Sequence, residues 1–227
     1  MLRERSAFDS ISGFLRYLAR QDQAETFGLP SLTDLSHELG ISVAALREQL
    51  EVARALGLVE VKPRTGTKRL PYTFLPAVRQ SLGYAMTLDD SHFQTFADLR
   101  KHIETAYWFE AVEKLTVEDH QELKTLIGRA WEKLRGNPVQ IPHEEHRKLH
   151  LLIYRRLNNI FVTGILNAYW EAYEAIGLNV FSSYDYLQEV WQYHTKMVEG
   201  ICNGNYETGY QALMDHTDLL YHRPVSE

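Results

Sequence analysis

The sequence predicts a mainly α-helical chain in which an N-terminal winged helix-turn-helix is followed by an all-helical antiparallel bundle, and three observations predict it. Pro63, Pro71 and Pro76 and the turn Thr65-Gly66-Thr67 crowd into residues 62 to 76, whereas residues 82 to 220 hold only Pro138 and Pro142. Beyond that cluster, apolar residues recur at spacings of three and four, the period of amphipathic helices. Before it, helical stretches closed by glycines lead into a short β-hairpin pattern. A boundary near residues 76 to 82 follows, with one domain over 1–80 and another over 81–227.

In the first domain a helix from Phe8 to Arg20 carries Ile11, Leu15 and Leu18 on one face. Ser31 precedes a short helix, Leu32 to Leu39, closed by Gly40, and Ser42 opens a longer one, Val43 to Leu56, closed by Gly57. Serine oxygens accept from first-turn amides, and glycine takes the left-handed cap at no steric cost. Leu58-Val59-Glu60-Val61 reads as a strand, Pro63 to Gly66 as a turn and Lys68 to Leu75 as a return strand. The second domain reads as six helices, over 96–115, 117–135, 142–157, 160–176, 183–202 and 205–221. Thr116 followed by Asp119 is a start signal and Gly136-Asn137-Pro138 a stop; Pro142 suits a first turn, and Gly177 a C-terminal cap.

Composition narrows the function classes. With 227 residues, 44% of them hydrophobic and 24% charged, the chain can bury a core and lacks the signature of disorder. The single cysteine, Cys202, excludes an intramolecular disulfide framework and any zinc site built on paired thiolates, which fits a reducing compartment. No window approaches 18 uninterrupted apolar residues, and the start Met1-Leu2-Arg3-Glu4-Arg5 lacks the apolar stretch of a signal peptide. A cytoplasmic protein without a membrane partner is expected. The net charge of −6 argues against a protein that coats nucleic acid, yet it conceals two unlike halves. Residues 1 to 80 hold 11 Lys and Arg against 9 Asp and Glu, while the remainder holds 13 against 21. That asymmetry points to modules with different partners.

In a helix-turn-helix the second helix enters the major groove by its N-terminal residues. Here those are Ser42, Val43, Ala44, Ala45 and Arg47. Small side chains allow close approach to base edges, and Arg47 has the fork for guanine or a phosphate. The hairpin carries Lys62, Arg64, Lys68 and Arg69 around Gly66, a charge set that suits a wing gripping phosphates or, more simply, a soluble turn.

The second domain is notable for histidines. His146 and His150 are four residues apart and share a helix face, with His143 near the same face at the helix start. His194 and His216 lie on later amphipathic helices, and antiparallel helices can project such side chains into a shared interior. Neutral imidazoles bind a zinc-like ion at about 2.1 Å.

The run Leu29-Pro30-Ser31-Leu32-Thr33-Asp34-Leu35, then Leu39-Gly40-Ile41-Ser42, Leu46-Arg47-Glu48-Gln49-Leu50 and Gly57-Leu58-Val59-Glu60 resembles the winged-helix signature of GntR-type bacterial transcriptional regulators. That pattern runs approximately L-P-S-E-R-E-L, L-G-V-S-R, V-R-E-A-L, G-L-V-E. Thr33 and Val43 stand where the family has arginines implied to contact DNA, which implies an altered operator or weakened DNA binding. Ser31 and Ser42 keep their family positions. Residues 92 to 222 resemble the effector domain of the FadR subfamily, the FCD domain, whose pattern is D-x-x-F-H on one helix and a histidine on each of two later ones. The matching positions hold His146, His150, His194 and His216, with His146 replacing the aspartate. A fourth nitrogen favours Zn²⁺, Ni²⁺ or Cu²⁺ over Mg²⁺, Mn²⁺ or Ca²⁺, and Zn or Ni is expected. The resemblance also implies a small carboxylate beside the metal, reached by Arg100, for which an ion pair with Glu104 is the alternative role. Tyr107, Tyr154, Tyr169 and Tyr173 are candidates to line the cavity.

The leading expectation is a homodimeric, ligand-responsive repressor that binds a double-stranded DNA operator and is controlled by a small organic acid near a divalent transition metal. Two rivals stand beside it. One is a metal-dependent hydrolase, against which no clear general base accompanies the histidines. The other is a sensor acting through a protein partner with weakened DNA binding.

Overall fold

The computed structural model describes residues 11–20, 28–63, 66–176 and 183–219. The chain divides into two compact units, Met1–Gln80 and Ser81–Glu227.

The first unit comprises helices α1 (Gly13–Arg20), α2 (Leu32–Leu39) and α3 (Val43–Ala55) and strands β1 (Val59–Lys62) and β2 (Gly66–Arg69). The expected caps form: Ser31 accepts from the Asp34 amide, Ser42 from the Ala45 amide, and Gly40 turns the chain between α2 and α3 at φ 65°. The strands pair antiparallel, with Val59 opposite Arg69 and Lys62 opposite Gly66. Phe14, Leu35, Leu46, Leu50 and Val59 form the core.

Two expectations in this unit need correction. The buried face of α1 is Phe14 and Leu18, while Ile11 is 41% exposed and Leu15 only half-buried. Phe14 lies four residues before Leu18, so the pair forms one stripe, and the larger aromatic takes the core. The return strand ends at Arg69, well short of Leu75, because Pro71 has no amide to give a ladder. The proline-marked stretch near residues 76 to 82 is helical, within α4 (Leu75–Leu88), and the division between the two units falls inside it, between Gln80 and Ser81. Pro76 lies in its first turn, where a proline is tolerated, so it marks a helix start. The N-terminal part of the expected first helix, residues 8 to 10, lies outside the described residues.

The second unit holds α5 (His92–Glu113), α6 (Val117–Leu134), α7 (His143–Tyr154), α8 (Ile160–Ala175), α9 (Tyr184–Cys202) and α10 (Tyr206–Leu219). These match the six expected helices, although α5 starts four residues earlier than the apolar periodicity indicates. Gly177, expected as a cap, lies outside the described residues. Trp108, Leu123, Leu134, Leu149, Trp191 and Ile201 are among the side chains of its core. Among the described residues, no helix is long and apolar enough to cross a membrane.

Two local devices hold the helices that carry the histidines. Thr116 and Asp119 form a reciprocal capping box at the start of α6. The buried Asp119 carboxylate also receives Arg155 and Arg156, which follow α7, so it ties the two helices together. Burial pushes this carboxyl up, but the Arg156 contact, the Thr116 amide and Arg155 more than offset it and hold it well below the usual range. At the α9–α10 hairpin, Gly200 meets Gly209: a Cβ on Gly200 would lie 2.7 Å from the Gly209 nitrogen and 2.9 Å from the Asn205 oxygen. Both neighbours are backbone and cannot rotate away. The helices therefore approach closely only because position 200 has no side chain.

Gly200→Ala is expected to lower stability by about 1–3 kcal/mol, through overpacking, in urea denaturation of the full chain. An unchanged midpoint would show that the hairpin is looser than described. For Asp119 the sign follows from a folded pKa below the unfolded one. Its contribution is full above the unfolded carboxyl value of about 3.9 and is lost as pH falls through the folded value. Urea midpoints of wild type should thus decline more steeply below pH ~4 than those of Asp119→Asn, and parallel curves would contradict this.

Candidate functional site

The histidine cluster is built from three helices. His146 and His150 occupy successive turns of one face of α7, His194 comes from the middle of α9, and His216 from the last turn of α10. One ring nitrogen from each lies within 4.8 Å of all the others. Ligands around a tetrahedral ion at about 2.1 Å are themselves ~3.4 Å apart, so closure needs only small side-chain adjustments. Ring centroids are 4.2 Å apart for His194 and His216, 4.6 Å for His146 and His194, and 5.1 Å for His150 and His194. His150, His194 and His216 have no exposed surface.

The chemistry of this donor set fits a cation. Burial first, and then neighbouring histidines and Arg100, push His146, His194 and His216 well below the ordinary imidazole value. Burial likewise lowers His150, although the Glu104 carboxylate opposes it. The rings are accordingly neutral, the form that offers a lone pair. Nε2 of His146 and both nitrogens of His216 are buried without a hydrogen-bond partner, while His194 turns Nε2 to the cluster, 3.0 Å from His150 Nε2, and its other nitrogen toward the Val190 carbonyl. Each such orphan costs about 1–3 kcal/mol, so several facing one another mark a place where a shared partner belongs.

Around the cluster stand aromatic rings and one ion pair. Trp170 and Trp191 pack against His146, with centroids at 4.7 and 6.1 Å. Arg100 lies over the rings of Tyr169 and Trp170, at 4.7 and 5.4 Å. Its Nη2 is 2.9 Å from Glu104 Oε2 and 2.9 Å from His150 Nδ1, so the ion pair with Glu104 is formed and Arg100 also reaches the cluster. Both side chains of the pair are essentially without solvent contact. Burial raises the Glu104 carboxyl, but Arg100 and His150 beside it outweigh that and leave it lowered.

Of the four tyrosines, Tyr173 faces His146 at 6.3 Å and Tyr169 stacks on Phe93, while Tyr154 donates to the Glu104 carbonyl and Tyr107 accepts from Asn159. His143 does not join the cluster. It lines an outer cleft of about 700 Å³ with Arg147, Lys148 and Arg155, cations that pair with Glu174, Glu144 and Glu122. Glu145, the acid beside His146 in sequence, is turned to Lys133 at 2.7 Å and does not serve the cluster as a base. Glu104 is the neighbour that the sequence reading placed only against Arg100. Its position four residues after an arginine signals an ion pair but not a contact with a distant histidine.

The first unit presents the other candidate residues. Ser31, Thr33, Ser42, Ala44 and Arg47 are exposed, and Val43 is half-exposed, at the N-terminal ends of α2 and α3. On the hairpin Lys62, Gly66 and Lys68 are exposed, with Lys62 3.0 Å from Glu60. Arg64 lies outside the described residues. Arg69 departs from the expected wing role: it is 7% exposed, and its guanidinium donates to the Leu18 carbonyl at 3.4 Å. The register puts Arg69 opposite the buried Val59, so it faces the core of this unit.

Comparison with known proteins agrees with this architecture. A family model, the FCD domain, matches residues 95–219, more than half of the chain. Among solved structures, a Streptococcus agalactiae GntR superposes with a TM-score of 0.68 at 16% identity, over 91% of this chain and 94% of that one. Lar, which controls the expression of the Listeria monocytogenes agr system, superposes with a TM-score of 0.50 at 15% identity, over 92% and 95% of the two chains. No curated protein matches the chain in sequence. The chain belongs to the FCD domain family and has the mainly α-helical fold of a GntR-type regulator, a winged helix-turn-helix followed by a helical FCD domain.

Proposed function

We propose that the protein is a ligand-responsive DNA-binding transcriptional regulator of the FadR subfamily, a cytoplasmic homodimeric repressor controlled by a small carboxylate bound near a zinc or nickel ion. The observation that carries the DNA-binding reading is the division of α3. It buries Leu46, Leu50 and Ala53 against its own unit and leaves Ser42, Ala44 and Arg47 exposed at its N-terminal end. That is the end a recognition helix presents to the major groove, one half-site per subunit. Exposed Lys62 and Lys68 on the hairpin would contact phosphates, together with Arg64, whereas the buried Arg69 serves the fold. With Thr33 and Val43 in place of arginines, base readout rests on Arg47 and on small side chains.

In the effector domain His146, His150, His194 and His216 would hold the metal, and the ion, when bound, supplies a positive centre for a carboxylate. Four neutral imidazoles offset none of that charge. Arg100 keeps a donor for the same ligand, because its Nε has no partner while its Nη2 holds Glu104. Occupancy would then bias the two DNA-binding heads toward or away from operator spacing. Catalysis is not part of this reading: Glu145, beside His146 in sequence, is paired with Lys133, and Glu104, beside His150, is paired with Arg100.

Fluorescence anisotropy of the full chain with duplex DNA flanking its own gene tests the DNA reading. Binding should weaken steeply with salt, and Lys62→Ala and Lys68→Ala should each reduce the salt slope by about 1 without altering sequence preference. Absence of salt-dependent binding across metals and a small-acid library would reject the regulator. Elemental analysis tests the metal reading separately: His150→Ala and His216→Ala should purify with far less Zn or Ni than wild type, and equal content would reject the assignment.

A further inference from the structure

We propose that Glu104 positions the metal centre by accepting a hydrogen bond from Nδ1 of His150, so that Nε2 of that ring is presented to the ion. The inference rests on the metal reading above and assigns a residue outside the four imidazoles. His150 Nε2 lies 3.0 Å from His194 Nε2 and therefore points into the cluster. A ring that binds metal through Nε2 carries its proton on Nδ1, which must then donate. Two groups lie against Nδ1: Arg100 Nη2 at 2.9 Å, which is also 3.3 Å from Nε2, and Glu104 Oε1 at 3.2 Å. Guanidinium has donors only, so it cannot accept that proton's hydrogen bond. Glu104 can, and both of its oxygens are buried without a well-aligned hydrogen bond, which leaves their acceptor capacity open.

Arg100 acts through Glu104. Its Nη2 lies 2.9 Å from Oε2 and holds the carboxylate in place, and Tyr154 fixes the same residue from the backbone side by donating to the Glu104 carbonyl at 2.9 Å. Charge supports the assignment independently of the hydrogen bond. Four neutral imidazoles bring no negative charge to an ion that would sit near a buried guanidinium. Among the described residues, Glu104 is the carboxylate in contact with a cluster histidine. It supplies, one step out from the ligands, the anion that the ligands lack. Carboxylate partners of this kind typically change metal affinity by about 10–100-fold.

The test uses the full chain stripped of metal, titrated with Co²⁺, read by visible d–d absorption and by competition with a chelator. Glu104→Gln should bind Co²⁺ about 10–100-fold more weakly, with a shifted absorption band. Because that variant strands Arg100, a second variant, Arg100→Gln with Glu104→Gln, removes both charges together and is better placed to fold. Loss of the arginine charge alone would favour a divalent cation, so weaker Co²⁺ binding by the folded double variant reports on Glu104. Wild-type affinity and an unshifted band in that variant would overturn the proposal while leaving the histidine site intact. Failure of wild type to take up Co²⁺ would reject the metal reading and this inference with it.

Discussion

Four imidazole rings face one another inside a helical bundle, three of them without exposed surface, and nitrogens of His146 and His216 lack a hydrogen-bond partner. Leaving buried polar atoms unsatisfied is among the costliest things a fold can do. Much of the second unit is arranged to bring these particular atoms together. Two turns of α7 stack His146 over His150, and the glycine contact between α9 and α10 lets His194 and His216 approach within 4.2 Å. Asp119 fastens the start of α6 to the end of α7, and Trp170 and Trp191 pack against His146. A bundle without a role for these nitrogens would gain by replacing them with leucine.

The ion pair beside the cluster follows the same logic. Arg100 and Glu104 are one helical turn apart on α5 and both fully buried, an arrangement that contributes little stability unless each charge meets further partners. Here the guanidinium meets two aromatic faces and His150, while the carboxylate meets His150 as well. The pair is therefore electrically linked to the histidine cluster, and Glu104 brings a buried carboxylate against His150. An acidic helical unit around such a centre and a slightly basic first unit together sum to the net charge of −6.

Much of this was legible in the sequence, for reasons that can be named. Caps are local, so Ser31, Gly40, Ser42 and the Thr116–Asp119 box could be read from a few neighbouring residues. The six helices of the second unit were legible because their apolar periods are long and uninterrupted. His146 and His150 could be paired from their i, i+4 spacing, and His194 and His216 joined to them because each lies on a later amphipathic helix. What was hidden depends on distant partners. The burial of Arg69 follows from β register against Val59, and the contact of Glu104 with His150 spans two helices. The helix over Leu75–Leu88 was masked by Pro76, which is ambiguous between a linker and a first turn. The preference of α1 for Phe14 over Ile11 is settled by packing against the other helices of its unit, including Leu46 and Leu50 of α3.

The proposed metal site rests on the imidazoles of His146, His150, His194 and His216. X-ray absorption spectroscopy of the zinc- or nickel-loaded full chain measures it most directly. The account predicts a first shell dominated by imidazole nitrogens at about 2.1 Å, with the multiple-scattering pattern of at least three histidine rings. A shell containing sulfur, or one composed of oxygens with a single imidazole, would contradict it.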